Sequence, residues 1–178
     1  MHSVSRRSTK VQVHTALVDF ELADAIEALL ETRGSRLFRY ELDGRLCNLT
    51  DRRLNDYIKE YMDPDFSGKD FRTWGGTLLA AIAFAERGPV EGKGEQKRSV
   101  TAVMRKVAEQ LGNTPAVTRA SYVSPAVVDQ YLHGRTIEDF RPRHLRIATA
   151  RDIGLDREEQ ATLSLLRSHR IRSARDAA

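Results

Sequence analysis

The sequence predicts a mainly α-helical domain with a small β element at its N-terminus. Three observations carry that expectation. Apolar residues recur at intervals of three and four through most of the 178-residue chain. Strand-like patterning is limited to Val11, Val13 and the run Ala16 to Val18, with one brief extended piece at Leu37 to Tyr40. Gly34, Gly88-Pro89, Gly112 and Gly134 fall at the ends of the periodic segments, where they stop helices.

Residues 1–9 are polar and basic, and the first strand runs to Asp19. Leu22, Ile26, Leu29 and Leu30 then mark a helix over 20–32, which Gly34 closes. Leu37 to Tyr40 form a brief extended piece before an Asp43-Gly44 turn, and a short polar connection ends at Cys47. Thr50 or Asp51 can cap a second helix with Leu54, Tyr57, Ile58 and Tyr61 on one face, ended by Asp63-Pro64-Asp65. A third helix carries a stripe of Phe71, Trp74, Leu78 and Ile82 and stops at Gly88-Pro89. Residues 88–97 read as a loop with three glycines. A fourth helix follows, with Val100, Val103, Val107 and Leu111 inward and Lys97, Arg98, Arg105 and Lys106 outward, and Gly112-Asn113 terminates it. Thr114-Pro115 and Ser124-Pro125 each set a capping residue before a proline in a first helical turn. Two short helices follow from them, the second ending near Gly134. Beyond Phe140 the chain is Arg-rich; a last helix is expected over 156–168 through Leu163, Leu165 and Leu166, with a frayed tail from Ser168.

Hydrophobic residues make up 40% of the chain and charged residues 30%, which suits one domain long enough to bury a core. The net charge is +4 and the isoelectric point about 9.4, a mild pointer to a polyanionic partner. Cys47 is the only cysteine, so a disulfide framework and a multi-cysteine zinc site are excluded. With no histidine near it in sequence, Cys47 reads as a structural thiol, and the chain fits a reducing cytoplasm. The longest apolar stretch, Leu78 to Ala85, is far short of a membrane span, so no membrane partner is expected.

Two segments offer chemistry. In Gly68-Lys69-Asp70-Phe71-Arg72-Thr73-Trp74, Arg72 lies about 100° round the helix from each neighbour and can emerge at the edge of the packed face. A guanidinium held there is a preorganised fork for two oxygens of one phosphate. The alternative is a surface arginine paired with a carboxylate such as Asp70. The second segment runs from Leu111 to Val123. Asn113 stands at a helix end, where amides are free to point at an anion, and Tyr122 follows nine residues later. A tyrosine at this place can be a core residue with its hydroxyl at the boundary. For it to be a nucleophile, cations must lie nearby, because a phenol titrates near about 10 and its oxyanion needs stabilising.

Taken together, Lys69-Asp70-Phe71-Arg72-Thr73-Trp74 and Gly112-Asn113-Thr114-Pro115 followed by Ser121-Tyr122-Val123 resemble two motifs of the type IB DNA topoisomerases, in particular their bacterial and poxvirus-like branch. The resemblance extends from about Arg6 to Phe140 and is closest at 69–80 and 110–125. It implies a DNA-breaking-rejoining catalytic core over residues 1–140 and a basic helical extension over 141–178. It further implies that Tyr122 attacks the scissile phosphate to give a 3′-phosphotyrosyl link and a free 5′-hydroxyl. Arg72 matches an arginine that binds the non-bridging oxygens in the transition state. Asn113 falls where many relatives have histidine and some bacterial ones asparagine; its amide can donate one hydrogen bond to the same oxygen and cannot act as an acid.

The family's general acid is a lysine on a β-hairpin. At that point this chain has Ser5-Arg6-Arg7-Ser8-Thr9-Lys10; Arg7 aligns best with the lysine, and Lys10 is a nearby substitute. An arginine, whose guanidinium keeps its proton far above neutral pH, is a poor general acid. The family's first arginine and its DNA-clamping N-terminal domain have no counterpart, so the catalytic domain is expected to be truncated at its N-terminus. Lys69, Lys97, Arg98, Arg105, Lys106 and Arg119 are the candidate phosphate contacts. The implied partner is double-stranded DNA, bound by a monomer with no metal, ATP or other cofactor. Two other readings stay open. Tyrosine recombinases share the fold and the nucleophile, but usually carry His-x-x-Arg where this chain has Lys69-Asp70-Phe71-Arg72. A non-catalytic DNA-binding fragment would use Lys97, Arg98, Arg105 and Lys106 alone.

Overall fold

The structure, a computed structural model, describes residues 7–8, 11–12, 20–141 and 154–177. Contacts divide the chain into two units, residues 1–70 and 71–178. Helix dominates both, as the periodicity predicts.

The first unit opens with an antiparallel hairpin of β1 (Arg7–Ser8) and β2 (Val11–Gln12), with Ser8 opposite Val11. The expected strand is therefore seen at 11–12; residues 13–19 lie outside the described residues. Helix α1 (Phe20–Glu31) follows. Of its expected stripe, Ile26 and Leu29 are half-buried while Leu22 and Leu30 are exposed. The chain leaving α1 is held by Arg39, whose guanidinium donates to the carbonyls of Arg33 and, at 2.7 Å, Thr32.

A second hairpin joins β3 (Arg39–Leu42) to β4 (Arg45–Asn48). The polar connection expected up to Cys47 is thus a strand, with Tyr40 paired to Cys47. The two-residue turn explains the difference: Asp43 and Gly44 both take positive φ, 51° and 71°, which brings the chain straight back into register. Helix α2 (Asp51–Tyr61) is capped by Thr50, whose hydroxyl accepts from the Arg53 N–H at 3.2 Å. Of its face, Ile58 is buried, whereas Tyr57 and Tyr61 are exposed and rest on each other at 4.5 Å.

Helix α3 (Gly68–Arg87) starts in the first unit and carries the chain into the second. The Asp70 carboxylate accepts from the Ser67 N–H (2.9 Å) and hydroxyl (2.8 Å) and so closes the helix start. The second unit then comprises α4 (Lys93–Leu111), α5 (Pro115–Ser121), α6 (Pro125–Leu132), a 3-10 turn at Ile137–Phe140, and α7 (Arg157–Asp176). Its core joins Ala80 and Phe84 of α3, Val103 and Val107 of α4, Val127 and Tyr131 of α6, Ile137, and Ala161 and Leu165 of α7.

Three expectations change here. The buried face of α3 is Gly76, Thr77, Ala80, Ala81, Ala83 and Phe84; Phe71 is exposed, and Trp74, Leu78 and Ile82 are half-buried. Small side chains let α3 press close to its neighbours, so Phe71, Trp74, Leu78 and Ile82 flank the contact and Phe84 is the one large side chain of the buried face. Helix α4 starts at Lys93, inside the expected loop, because Gly92 (φ 82°) is the last residue that turns the chain. Helix α7 is not frayed beyond Ser168. It runs to Asp176 because Asp129 of α6 accepts from Arg172 at 2.8 Å and faces His169 at 3.2 Å. Trp74 donates to Glu159 (3.2 Å), and the buried Gln130 amide donates to the Leu165 carbonyl (2.9 Å).

Candidate active site

Helix α4 ends at Gly112 in the left-handed conformation (φ 65°), and the Asn113 N–H turns back to the Ala108 carbonyl at 2.9 Å. That closure leaves the Leu111 carbonyl for side-chain donors. Two arrive: Arg72 Nη2 at 3.0 Å and Asn113 Nδ2 at 3.2 Å. Thr114 caps α5 by accepting from the Val117 N–H, with Pro115 in the first turn, as the sequence signal predicts. Tyr122 is the residue on which α5 ends, its N–H bonded to the Thr118 carbonyl at 3.0 Å. Its ring is half-buried, and the Arg72 guanidinium carbon lies 4.8 Å from the ring centroid.

The structure therefore brings Arg72, Asn113 and Tyr122 together. The route differs from the expected one for Arg72: Phe71 does not bury beside it, and its anchor is a helix-end carbonyl 39 residues away. Asp70, the alternative partner, is turned to Ser67 instead. The Ser67 hydroxyl and N–H hold that carboxyl below its ordinary value of 3.8.

The candidate phosphate contacts divide. Lys97, Arg98 and Arg105 line one shallow depression on α4 together with Thr101. Arg98 is paired there with Glu95, which lowers the Glu95 pKa through the shared hydrogen bond and raises that of Arg98. Lys106 reaches the other way, to Glu86 of α3 at 2.6 Å. Arg119 is exposed on α5, and Lys69 is exposed in the first turn of α3. Arg7 stands on β1, while Lys10 lies outside the described residues.

A family model described as the catalytic core of eukaryotic DNA topoisomerase I matches residues 3–140. The chain belongs to the type IB topoisomerase family. A DNA topoisomerase 1B of Acanthamoeba polyphaga mimivirus is 32% identical over 126 residues, covering 66% of this chain and 37% of the relative. The chain thus spans little more than a third of that viral topoisomerase. Arg72, Asn113 and Tyr122 all fall within the stretch that matches the topoisomerase core, and α7 falls beyond it. The tyrosine recombinase reading gives way to this match. Sequence reasoning missed the Leu111 carbonyl as the meeting point, since a backbone atom leaves no residue signature. It also passed over Gly75-Gly76, although two glycines inside a helix are a signal of close packing.

Proposed function

We propose that this chain is the nucleophile-bearing part of a type IB DNA topoisomerase, which nicks one strand of duplex DNA through Tyr122, lets supercoils relax by rotation and reseals the strand. The phenolic oxygen of Tyr122 forms a bond to phosphorus as the bond to the 5′ oxygen breaks, and a proton passes to that oxygen. Attack by the 5′-hydroxyl then reverses both changes. Because one phosphodiester is exchanged for another, the link conserves the bond energy and the cycle runs without ATP.

One observation carries the reading. Arg72 and Asn113 aim their donors at a single oxygen, and the same arginine lies over the Tyr122 ring. Donors that converge on a carbonyl oxygen can serve a phosphate oxygen equally well, and charge that builds there in the transition state strengthens both bonds. The guanidinium and the amide take the electrostatic part that a metal plays elsewhere. For the proton to the 5′ oxygen, Lys10 suits the chemistry better than Arg7, since an ammonium releases a proton far more readily than a guanidinium.

The test is relaxation of supercoiled plasmid without ATP or magnesium. Wild type should relax it and Tyr122→Phe should not. If both shift DNA on a gel and neither relaxes it, the chain is a DNA-binding fragment. A suicide duplex fixes polarity: the adduct should sit on the 3′ end, and attachment to a 5′ end would sink the assignment.

A further inference from the structure

Tyr122 ends α5 and Pro125 begins α6, so only two residues link the nucleophile to the next helix. The Val123 side chain of this link is packed into the core, but neither flanking residue is held by a side-chain cap. The backbone at Tyr122 has already left helical geometry (φ −129°, ψ −6°), and the Ser124 side chain makes no capping bond. Something else must fix its path.

Helix α3 does so with three successive contacts. Thr73 Oγ1 donates to the Ser121 carbonyl at 3.4 Å. Gly76 lies so close to the Tyr122 carbonyl that a Cβ would overlap its oxygen, and would stand 3.2 Å from Leu111 Cδ1. Thr77 Oγ1 accepts from the Ser124 N–H at 3.1 Å, with Thr77 itself 2% exposed. All three engage backbone groups, the carbonyl before Tyr122, its own carbonyl, and the amide two residues on. At these three positions the helix grips the chain path through its backbone.

Arg72 stands on the same helix, about one turn before Gly76. A grip on the Tyr122 backbone and the guanidinium over the Tyr122 ring therefore belong to one rigid body. We infer that Gly76 and Thr77 are positioning residues for Tyr122, a backbone seat that sets the nucleophile against Arg72. The inference rests on the roles proposed above for those two residues. Gly75, the neighbour, provides the control: a Cβ there would meet nothing within 4 Å.

The experiment compares Gly76→Ala with Gly75→Ala, and Thr77→Val with Thr77→Ser, in the full chain. Covalent adduct on a suicide duplex is followed in single turnover at saturating DNA, alongside the DNA Kd. The tyrosine rings are followed by NMR, with the Tyr122 signal assigned by its loss in Tyr122→Phe and Tyr131 as the core reference. A displacement near 1 Å slows such a reaction about a hundredfold. Gly76→Ala and Thr77→Val should therefore cut the adduct rate by that order at full amplitude and unchanged Kd. Gly75→Ala should match wild type, and Thr77→Ser should recover to within about twofold. A purely structural role would lower the amplitude, the folded fraction, and leave the rate alone; that result overturns the proposal. If Gly76→Ala does not fold, the Thr77 pair decides. If wild type forms no adduct, the proposed function has failed, and the seat is judged by NMR. A Tyr122 signal moved by Gly76→Ala and Thr77→Val but not by Gly75→Ala supports it, and an unmoved one refutes it.

Discussion

Arg72 holds Tyr122 and the Leu111 carbonyl at once: its guanidinium carbon is 4.8 Å from the tyrosine ring centroid while Nη2 donates to the carbonyl at 3.0 Å. A planar guanidinium can serve a ring and an oxygen together, since its face suits an aromatic ring and its edge carries the donors. Arg72→Lys keeps the charge and loses the geometry. Single-turnover cleavage should fall by about 10²- to 10³-fold, the usual effect of losing one transition-state donor, with DNA affinity little changed. An equal loss in affinity would mean that Arg72 serves ground-state binding.

Asn113 shares the Leu111 carbonyl with Arg72, and its amide is the second donor aimed at that oxygen. Asn113→Asp replaces a donor by an anion facing the phosphate. Cleavage should drop more than for Asn113→Ala, and the gap should narrow as the pH approaches 4 and the new carboxylate takes up a proton. Rates for the two variants that coincide across pH would remove Asn113 from the site.

DNA binding should weaken with salt in proportion to the phosphates engaged, each contributing a slope of about −0.9 in log K against log salt. Lys97→Ala and Arg105→Ala should each flatten that slope by about one unit. Arg98→Ala should flatten it less, because Arg98 is already paired with Glu95. Titration by fluorescence anisotropy at several salt concentrations measures all three.

The start of α3 should respond to acid. The Asp70 carboxyl is held below its ordinary value of 3.8 by the Ser67 hydroxyl and N–H. Its contribution is therefore complete above that pH and disappears as the pH falls through the lower folded value. Amide protection in the first turn of α3 should fall only below about pH 4, and Asp70→Ala should show the lower protection above that pH and approach wild type below it.

Stability rests on Tyr131. It stacks on Phe84 at 4.2 Å, and its hydroxyl meets Ser99 Oγ at 2.7 Å and the Gly88 carbonyl at 3.0 Å. Tyr131→Phe keeps the stack and removes both bonds, leaving Ser99 Oγ with only its bond from Arg87 Nε, so denaturant unfolding should show a loss of about 1–3 kcal/mol. Phe84→Ala opens a cavity in the same place and should cost about 3–5 kcal/mol.

Elements with a chemical signature were legible in the sequence. Thr50, Thr114-Pro115 and Gly112 mark helix ends through local hydrogen bonding, and each stands where its pattern implies. The second hairpin strand was not legible, because Arg45-Leu46-Cys47-Asn48 is short and only its pairing with 39–42 makes it a strand. The inward face of α3 was misread for a related reason. Size suggests Phe71 and Trp74, whereas the close approach selects Gly76, Thr77 and Ala80. At the site, Arg72, Asn113 and Tyr122 could be named from motifs. Their meeting at a backbone oxygen is a tertiary fact, and so is the tail beyond Ser168, ordered by Asp129 some forty positions earlier.

The stitching of α7 has a consequence for anyone who shortens this protein. The stretch recognisable by descent stops at Phe140, yet Ala161 and Leu165 are fully inside the core, and Gln130 spends its amide on the Leu165 carbonyl. A cut drawn at the limit of resemblance would bare to water the part of the core that Ala161 and Leu165 fill, and leave that amide without the Leu165 carbonyl. Here ancestry and mechanics draw different borders, and the smallest piece able to stand by itself is longer than the piece that declares its kin.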